Sequence, residues 1–161
     1  MARTTFSGPL ASANGSIHNG RVSIGATGTI SAAALATTGY ITCTSAAVTT
    51  ITLPIAVTAG AVQGLVPALN ASAGQKFTFI VDNTAGASAV TIAVGTGGTL
   101  SDAANTTAAS FGDVTLASGV RGMAQFTLMF TGGLTAPTVA NPQPNQALPG
   151  TATGYTLTRT A

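Results

Sequence analysis

Short runs of alternating hydrophobic and polar residues follow one another along most of this chain. The clearest runs cover residues 40–44, 48–53, 76–82, 89–94 and 123–131, where Val, Ile and Phe alternate with Thr and other small residues. A period of two is typical of β-strands that bury one face. Gly-rich turns recur at about every 10–15 residues, a spacing that is typical of an all-β sandwich or barrel.

The pattern therefore predicts an all-β fold, a jelly-roll-like antiparallel β-sandwich with extended N- and C-terminal arms. Turn residues between neighbouring runs predict two β-hairpins, at 76–94 and at 111–131. Residues 31–37 (SAAALAT) could make one helical turn but have no amphipathic face, so a helix is not expected there. The connection 56–74 is too apolar for a free loop, and we expect it to pack against another part of the protein.

The two ends of the chain lack the alternation of the middle. Residues 1–20 contain several turn dipeptides and are predicted to be an N-terminal arm. Residues 21–133 are predicted to form the β-sandwich domain. Four of the seven prolines fall between 137 and 149, which favours an extended, Pro-rich C-terminal arm over 134–161. Residues 154–159 (GYTLTR) alternate again and are predicted to add a final strand at a sheet edge.

Charge is scarce throughout the sequence. Only 5% of the residues are charged, and the formal net charge is +2, whereas roughly a quarter of an average globular domain is charged. Such a chain has little electrostatic repulsion between its copies and few groups for acid–base chemistry. The cations are scattered, so nucleic-acid binding is not expected. The apolar stretches are interrupted well before the roughly 20 residues that a membrane span requires.

The few residues with reactive side chains do not form a recognisable catalytic or metal-binding pattern. His18 is the only histidine and has no neighbouring nucleophile or orienting group in the sequence. Cys43 lies in a strand-like run and is expected to be a buried, inert thiol. Asp82, Asn83 and Asp102 could ligate Ca²⁺, but their spacing favours turn chemistry. We therefore expect no enzymatic activity, no cofactor and no metal site.

Four stretches of the chain resemble tailed-bacteriophage virion proteins. The opening MARTTFSGPLASANGS is similar to the start of small virion proteins. The stretches 48–54 (VTTITLP), 74–81 (GQKFTFIV) and 90–92 (VTI) are similar to a pattern of β-sandwich decoration and fibre modules. This resemblance implies a capsid decoration (head cement) protein, often trimeric, on the outer surface of an icosahedral head. Its partners would be the major capsid protein and further copies of itself, with assembly in the host cytoplasm.

Under this hypothesis the N-terminal arm anchors the protein to the capsid. The expected capsid-binding residues are its apolar ones: Phe6, Pro9, Leu10 and Ile17. The large apolar residues of the strands are expected in the core or in an oligomer interface: Phe77, Phe79, Ile92, Phe126, Leu128 and Phe130. The alternative is a tail-fibre or spike module that binds host-surface glycans. It ranks lower because Trp is absent and only two tyrosines are present.

Overall fold

The computed structural model describes residues 20–101, 114–132, 134–135, 148–149 and 151–160. Within them lie twelve short strands and two short helices, which confirms the mostly-β character predicted from the alternation. The strands are β1 (Val22–Ile24), β2 (Gly28–Thr29), β3 (Tyr40–Cys43), β4 (Thr49–Thr52), β5 (Lys76–Asp82), β6 (Val90–Ala93), β7 (Gly98–Leu100), β8 (Thr115–Leu116), β9 (Met123–Thr131), β10 (Leu134–Thr135), β11 (Leu148–Pro149) and β12 (Gly154–Arg159). The helices are α1 (Ala32–Thr38) and α2 (Leu65–Leu69), and a 3₁₀ turn spans Gly119–Arg121.

Two sheets enclose one hydrophobic core. The larger sheet has the strand order β1-β3-β5-β9-β12-β7, and the smaller sheet has the order β2-β4-β6-β8. Buried side chains from both sheets belong to one continuous cluster. Along β4 the alternation works as predicted, because Thr49, Ile51 and Leu53 are buried while Thr50 and Thr52 on the other face are only partly covered.

The expected antiparallel jelly-roll pairing is wrong for much of the molecule. Five of the nine strand pairs that the structure describes are parallel, namely β1–β3, β3–β5, β2–β4, β4–β6 and β7–β12. Parallel neighbours need a crossover connection rather than a tight turn. Residues 30–39 and 53–75, which include the two helices, provide these crossovers. The chain thus stacks three similar units, β1–β2, β3–β4 and β5–β6, each with one strand in either sheet.

Neither predicted hairpin forms. Strand β5 pairs with β3 and β9, and β6 pairs with β4 and β8. Strands β8 and β9 likewise lie in different sheets. The predicted turns exist, but they carry the chain across the core from one sheet to the other. Alternation and turn residues do not distinguish these two outcomes, since both need a strand, a turn and a second strand.

A helix forms where none was expected. Helix α1 begins after Ser31, whose hydroxyl oxygen accepts a hydrogen bond from the Ala34 N–H at 3.2 Å. It ends at Gly39, which has a φ of 59° and donates its N–H to the Leu35 carbonyl. A Ser N-cap and a left-handed Gly C-cap are strong helix-end signals. Ala32 and Leu35 are buried, and Ala34 packs partly against the core.

The apolar connection between β4 and β5 packs against the domain. Leu65 and Val66 of α2 are buried, and their N–H groups donate to the carbonyls of Ile55 and Ala56 at 2.8 and 2.9 Å. Helices α1 and α2 also pack against each other.

The last strand lies inside the larger sheet, not at its edge. Strand β12 covers the predicted residues, but it is hydrogen-bonded to β9 on one side and to β7 on the other. The predicted edge position is therefore wrong. Tyr155 and Leu157 point into the core and are at most 1% exposed.

The molecule has two different ends. We call one the loop end; it consists of the connections 44–48, 83–89 and 117–122, which join strands of the two sheets. We call the other the helical end; it contains α1, α2 and the start of β12. The described chain begins at Gly20, beside Thr38 at the end of α1, so it enters at the helical end.

Candidate interaction surface

One buried amide joins the connections of the loop end. Asn83 is fully buried, and its Nδ2 donates to the carbonyls of Ser88 at 2.9 Å and Ala117 at 3.0 Å. The Asn83 N–H donates to the Gly122 carbonyl at 2.7 Å. A side chain at Gly86 would overlap the Asn83 Oδ1, so the turn needs a glycine there. The connections 83–89 and 117–122 are therefore joined through one residue.

Further hydrogen bonds attach the connection 44–48 to the same unit. The Ala87 N–H donates to the Ser45 carbonyl at 3.0 Å, and the Ser88 hydroxyl donates to the Ala46 carbonyl at 3.0 Å. The Thr49 N–H donates to the Ala89 carbonyl at 3.1 Å. The loop end is thus a preorganised surface, in contrast to the mobile loops that usually connect strands.

Apolar side chains cover this surface. Val120 is 99% exposed and Val48 is 74% exposed, and they lie on either side of the connection 83–89. Met123 is 49% exposed beside them. Five exposed alanines fill the space between these larger side chains: Ala46, Ala47, Ala85, Ala87 and Ala117. Turns usually carry Gly, Asn, Asp or Ser, and an apolar patch of this kind marks an interaction site.

One anion and two cations lie at or beside this end. Asp82 ends β5, and its Oδ1 accepts hydrogen bonds from the Thr84 N–H at 2.9 Å and the Thr84 hydroxyl at 2.6 Å. Its Oδ2 accepts from the Tyr40 hydroxyl at 2.7 Å. The hydrogen bonds from Thr84, then that from Tyr40, lower the pKa of Asp82, and the same contact with Asp82 raises the pKa of Tyr40. Of the two cations, Arg121 lies in the 3₁₀ turn next to Val120, and Arg21 lines the same small pocket as Asp82 and Ala85.

The helical end is built differently. Tyr155 is fully buried there, and its hydroxyl donates to the Pro54 carbonyl at 2.8 Å and accepts from the Gly95 N–H at 3.0 Å. Burial raises the pKa of this phenol, and the Gly95 N–H partly offsets that effect. A side chain at Gly98 would come within 2.6 Å of the Tyr155 ring. Both polar functions of the buried hydroxyl are therefore satisfied.

Cavities open at the helical end, beside the helices. One, of about 400 Å³, lies between α2 and the residues before β12; its lining includes Val57, Val66, Pro67 and Ala152. Another, of about 370 Å³, lies beside the start of α1; its lining includes Ile30, Ile55 and Val62. Each cavity is lined mainly by apolar side chains, which suits an apolar segment of a protein better than a charged ligand.

Threonine hydroxyls cover the outer faces of both sheets. On the larger sheet Thr127 lies 3.4 Å from both Thr78 and Thr160, oxygen to oxygen. On the smaller sheet the Thr91 and Thr115 hydroxyl oxygens are 3.1 Å apart. These contacts satisfy hydroxyls without charge, so the faces lose little hydration energy when another neutral surface covers them.

The predicted core residues meet on the inner faces of the sheets. Phe79, Ile92, Phe126, Leu128 and Phe130 are each at most 2% exposed, and Phe77 is partly buried against them. The Phe79 ring stacks on Phe77 and on Phe126, with centroid distances of 6.4 and 5.6 Å. The predicted arm residues Phe6, Pro9, Leu10 and Ile17 lie outside the described residues, as do His18 and Asp102.

The thiol of Cys43 is buried, as the sequence predicts. It is fully inaccessible, and burial, followed by the nearby Asp82 charge, raises its pKa to about 11. It is therefore protonated and unreactive at neutral pH. Within the part of the chain that the structure describes, no three His, Cys, Asp or Glu side chains group together as metal ligands. No described helix has the length and apolarity to cross a membrane.

Comparison with known proteins identifies no relative of this chain. No family model, no curated protein and no solved structure matches the chain.

Sequence reasoning missed the loop end as a surface. The signal was present in the turn residues, because Val48 follows Ser45-Ala46-Ala47 and Val120 stands in the Gly-flanked turn 118–122. A large apolar residue in an exposed turn indicates that the turn contacts another molecule. Nothing in the sequence indicates that the two valines belong to the same end of the fold.

Proposed function

We propose that this chain is a structural virion protein, a decoration or cement protein that binds the outer surface of an icosahedral phage head and stabilises it. Its partners would be the major capsid protein and further copies of itself, with a trimer as the expected assembly. Segment 1–20 would contribute an arm that reaches neighbouring capsomers, and the Pro-rich connection between β9 and β12 would contribute a second contact with them.

The observation that carries this proposal is where the two segments join the domain. The described chain begins at Gly20 beside Thr38, and Gly132 packs against Thr153 at the start of β12. Both positions lie at the helical end. Fully extended, the 19 residues before Gly20 would span roughly 60 Å, enough to reach a neighbouring unit. A domain with a long N-terminal segment and a long connection before β12 at the same end fits a protein that clamps adjacent subunits.

The mechanism would be additive. Each contact between subunits would bury apolar surface at about 25 cal/mol per Å², and the capsid lattice would repeat that contact many times. The Thr-rich faces support this role, because covering them would remove water from few charges, namely Lys76 and Asp82 on the β5 strand of the larger sheet. Extended segments that add to a neighbour's sheet would provide specificity through backbone hydrogen bonds.

Quantitative mass spectrometry of purified virions tests the location. A copy number that is a simple fraction of the major capsid protein supports a head-covering role. A handful of copies per particle would instead assign the chain to the tail or a vertex spike, where the glycan-binding alternative belongs. Absence from the particles would overturn the virion proposal.

Capsid binding tests the arm. Deletion of residues 1–15 should abolish binding to capsids that lack the protein, while thermal unfolding of the domain stays unchanged. The double variant Phe6→Ser/Leu10→Ser should bind weakly as well, because the arm keeps its length but loses its apolar anchors. Thr5→Ser is the matched control and should bind normally. Normal binding by the deletion variant contradicts the arm mechanism.

A further inference from the structure

We infer that the N-terminal segment of the chain covers the cavity beside the start of α1 in its own domain, with Ile17 packed between that helix and the connection that follows β4. The occupant is residues 1–19, which lie outside the described residues. This contact fixes the base of the arm, so that the residues before Ile17 leave the domain from one defined place. The inference goes beyond the proposed function and does not depend on it, because the contact lies within a single chain.

The first argument is the chemistry of the cavity. Its volume is about 370 Å³, and its apolar lining includes Ile30, Ile55 and Val62. Val62 is 59% exposed, so much of its apolar area is left in water. Among the described residues, no charged side chain lines this cavity. A charged ligand would therefore lack a counter-ion there, whereas an uncharged apolar segment would bury the exposed wall.

The second argument is where the N-terminal segment joins the domain. Gly20 lies beside Thr38 at the end of α1, where a Cβ at Gly20 would be 3.9 Å from the Thr38 Cγ2. Ser31, which lines the cavity, precedes Thr38 by seven residues and thus lies on the same face of the helix, about 10 Å away. Gly20 has a φ of 98°, a conformation that is typical of a turn. The segment therefore starts within one helix length of the cavity.

The third argument is reach, and it selects the occupant. Three residues of extended chain span about 10 Å, so Ile17 is the residue that reaches the cavity from Gly20. Ile17 is also the one large apolar residue between Leu10 and Gly20, and residues 4–17 carry no charged side chain. The segment thus matches the uncharged cavity. Its attachment at Gly20 gives it a higher effective concentration at the cavity than a separate partner has.

Thermal unfolding of the full-length chain tests the contact. Ile17→Ser should lower the melting temperature by about 4–8 °C, because the protein loses one buried branched side chain. Ile17→Val is the matched variant and should have about half of that effect, because it keeps an apolar side chain at the same place. Deletion of residues 1–15, which spares Ile17, should leave the melting temperature unchanged. Equal melting temperatures for Ile17→Ser and the native chain overturn the inference.

Disulfide trapping locates the contact. The variant Ile17→Cys/Val62→Cys places one thiol in the segment and one in the wall of the cavity. The matched control, Ile17→Cys/Val57→Cys, places the second thiol in the other cavity of the helical end, at a valine that is 47% exposed. Cys43 does not compete, because its thiol is buried and has a pKa of about 11.

Mild oxidation of dilute protein should close the Val62 pair at least about 10-fold faster than the Val57 pair, because only the first holds its thiols within disulfide distance. Trypsin cleaves after Arg21 and Lys76, so in both variants the bond joins fragments 4–21 and 22–76, which mass spectrometry detects. Equal rates for the two pairs overturn the inference. Disulfides that join two chains also overturn it, and they would assign the segment to the cavity of a neighbouring copy. Neither measurement involves a capsid, so failure of this contact is distinguishable from failure of the virion proposal.

Discussion

The loop end and the helical end hold their connections in place by different means. At the loop end one amide, Asn83, ties two connections whose outward side chains are Ala and Val. At the helical end two helices pack against each other and against the core, and Tyr155 adds two hydrogen bonds to an end that is already filled with apolar contacts.

A connection between strands can thus be held in a fixed conformation either by apolar packing or by hydrogen bonds. Apolar contact at the helical end is spread over many residues, so the loss of one group is tolerated. The loop end has few buried apolar side chains in its turns, and its order depends on hydrogen bonds to one buried group. Those bonds leave the valines and alanines free to face outward. The expected effects of substitution differ accordingly.

The largest effect is expected from Asn83→Ala. The change removes the Nδ2 donors from the part-buried carbonyls of Ser88 and Ala117 and leaves a cavity where the fully buried Asn83 side chain stood. The lost hydrogen bonds and the cavity together should lower the free energy of unfolding by about 3 kcal/mol in urea denaturation. A loss below about 1 kcal/mol would contradict the central role of this amide.

A smaller effect is expected from Tyr155→Phe at the helical end. The ring and its packing remain, but the Pro54 carbonyl loses its donor and the Gly95 N–H loses its acceptor. The expected loss is about 2 kcal/mol, measured by the same urea denaturation. A loss larger than that of Asn83→Ala would reverse the comparison between the two ends.

The smallest effect is a pH dependence at the loop end. The pKa of Asp82 lies below its usual value because Thr84 and Tyr40 donate to the carboxylate. Its contribution to stability is therefore present above the unfolded pKa of about 4 and is lost as the pH falls through the folded pKa. Asp82→Asn keeps an acceptor oxygen but removes the charge.

The melting temperature of Asp82→Asn should accordingly lie slightly below that of the native chain at pH 7, and the gap should close at a pH below the lowered folded pKa of Asp82. Dilute protein is used so that association between copies does not contribute. A gap that is equal at both pH values would show that the charge on Asp82 has no part in the stability of the turn.

The strands were predictable because the alternation of apolar and polar residues within each segment shows which of its faces is buried. The period of two in 76–82 and 123–131 reports one buried face whatever the partner strand is, and both segments form strands over the predicted residues. The buried thiol of Cys43 and the turn role of Asp82 also follow from local context. Helix α1 has clear end signals in Ser31 and Gly39, but it lacks the amphipathic face by which helices are usually predicted.

Strand pairing and the loop-end surface were not predictable, because both depend on where a turn leads. The turn at 83–89 has the composition of a hairpin turn, yet it carries the chain from one sheet to the other. That choice brings Ser88 and Ala117 to Asn83 across 5 and 34 positions of sequence.

The sequence by itself determined the mostly-β character, the low charge and the positions of the long strands, because these are properties of single segments. Tertiary structure alone decided that parallel units stack on each other, that β12 lies inside the sheet and that Val48 and Val120 share one end. The physical reason is that the free energy of strand pairing depends on both strands. A strand pairs with the partner that buries the larger apolar face and satisfies the most backbone hydrogen-bonding groups, and one segment alone does not show which partner that is.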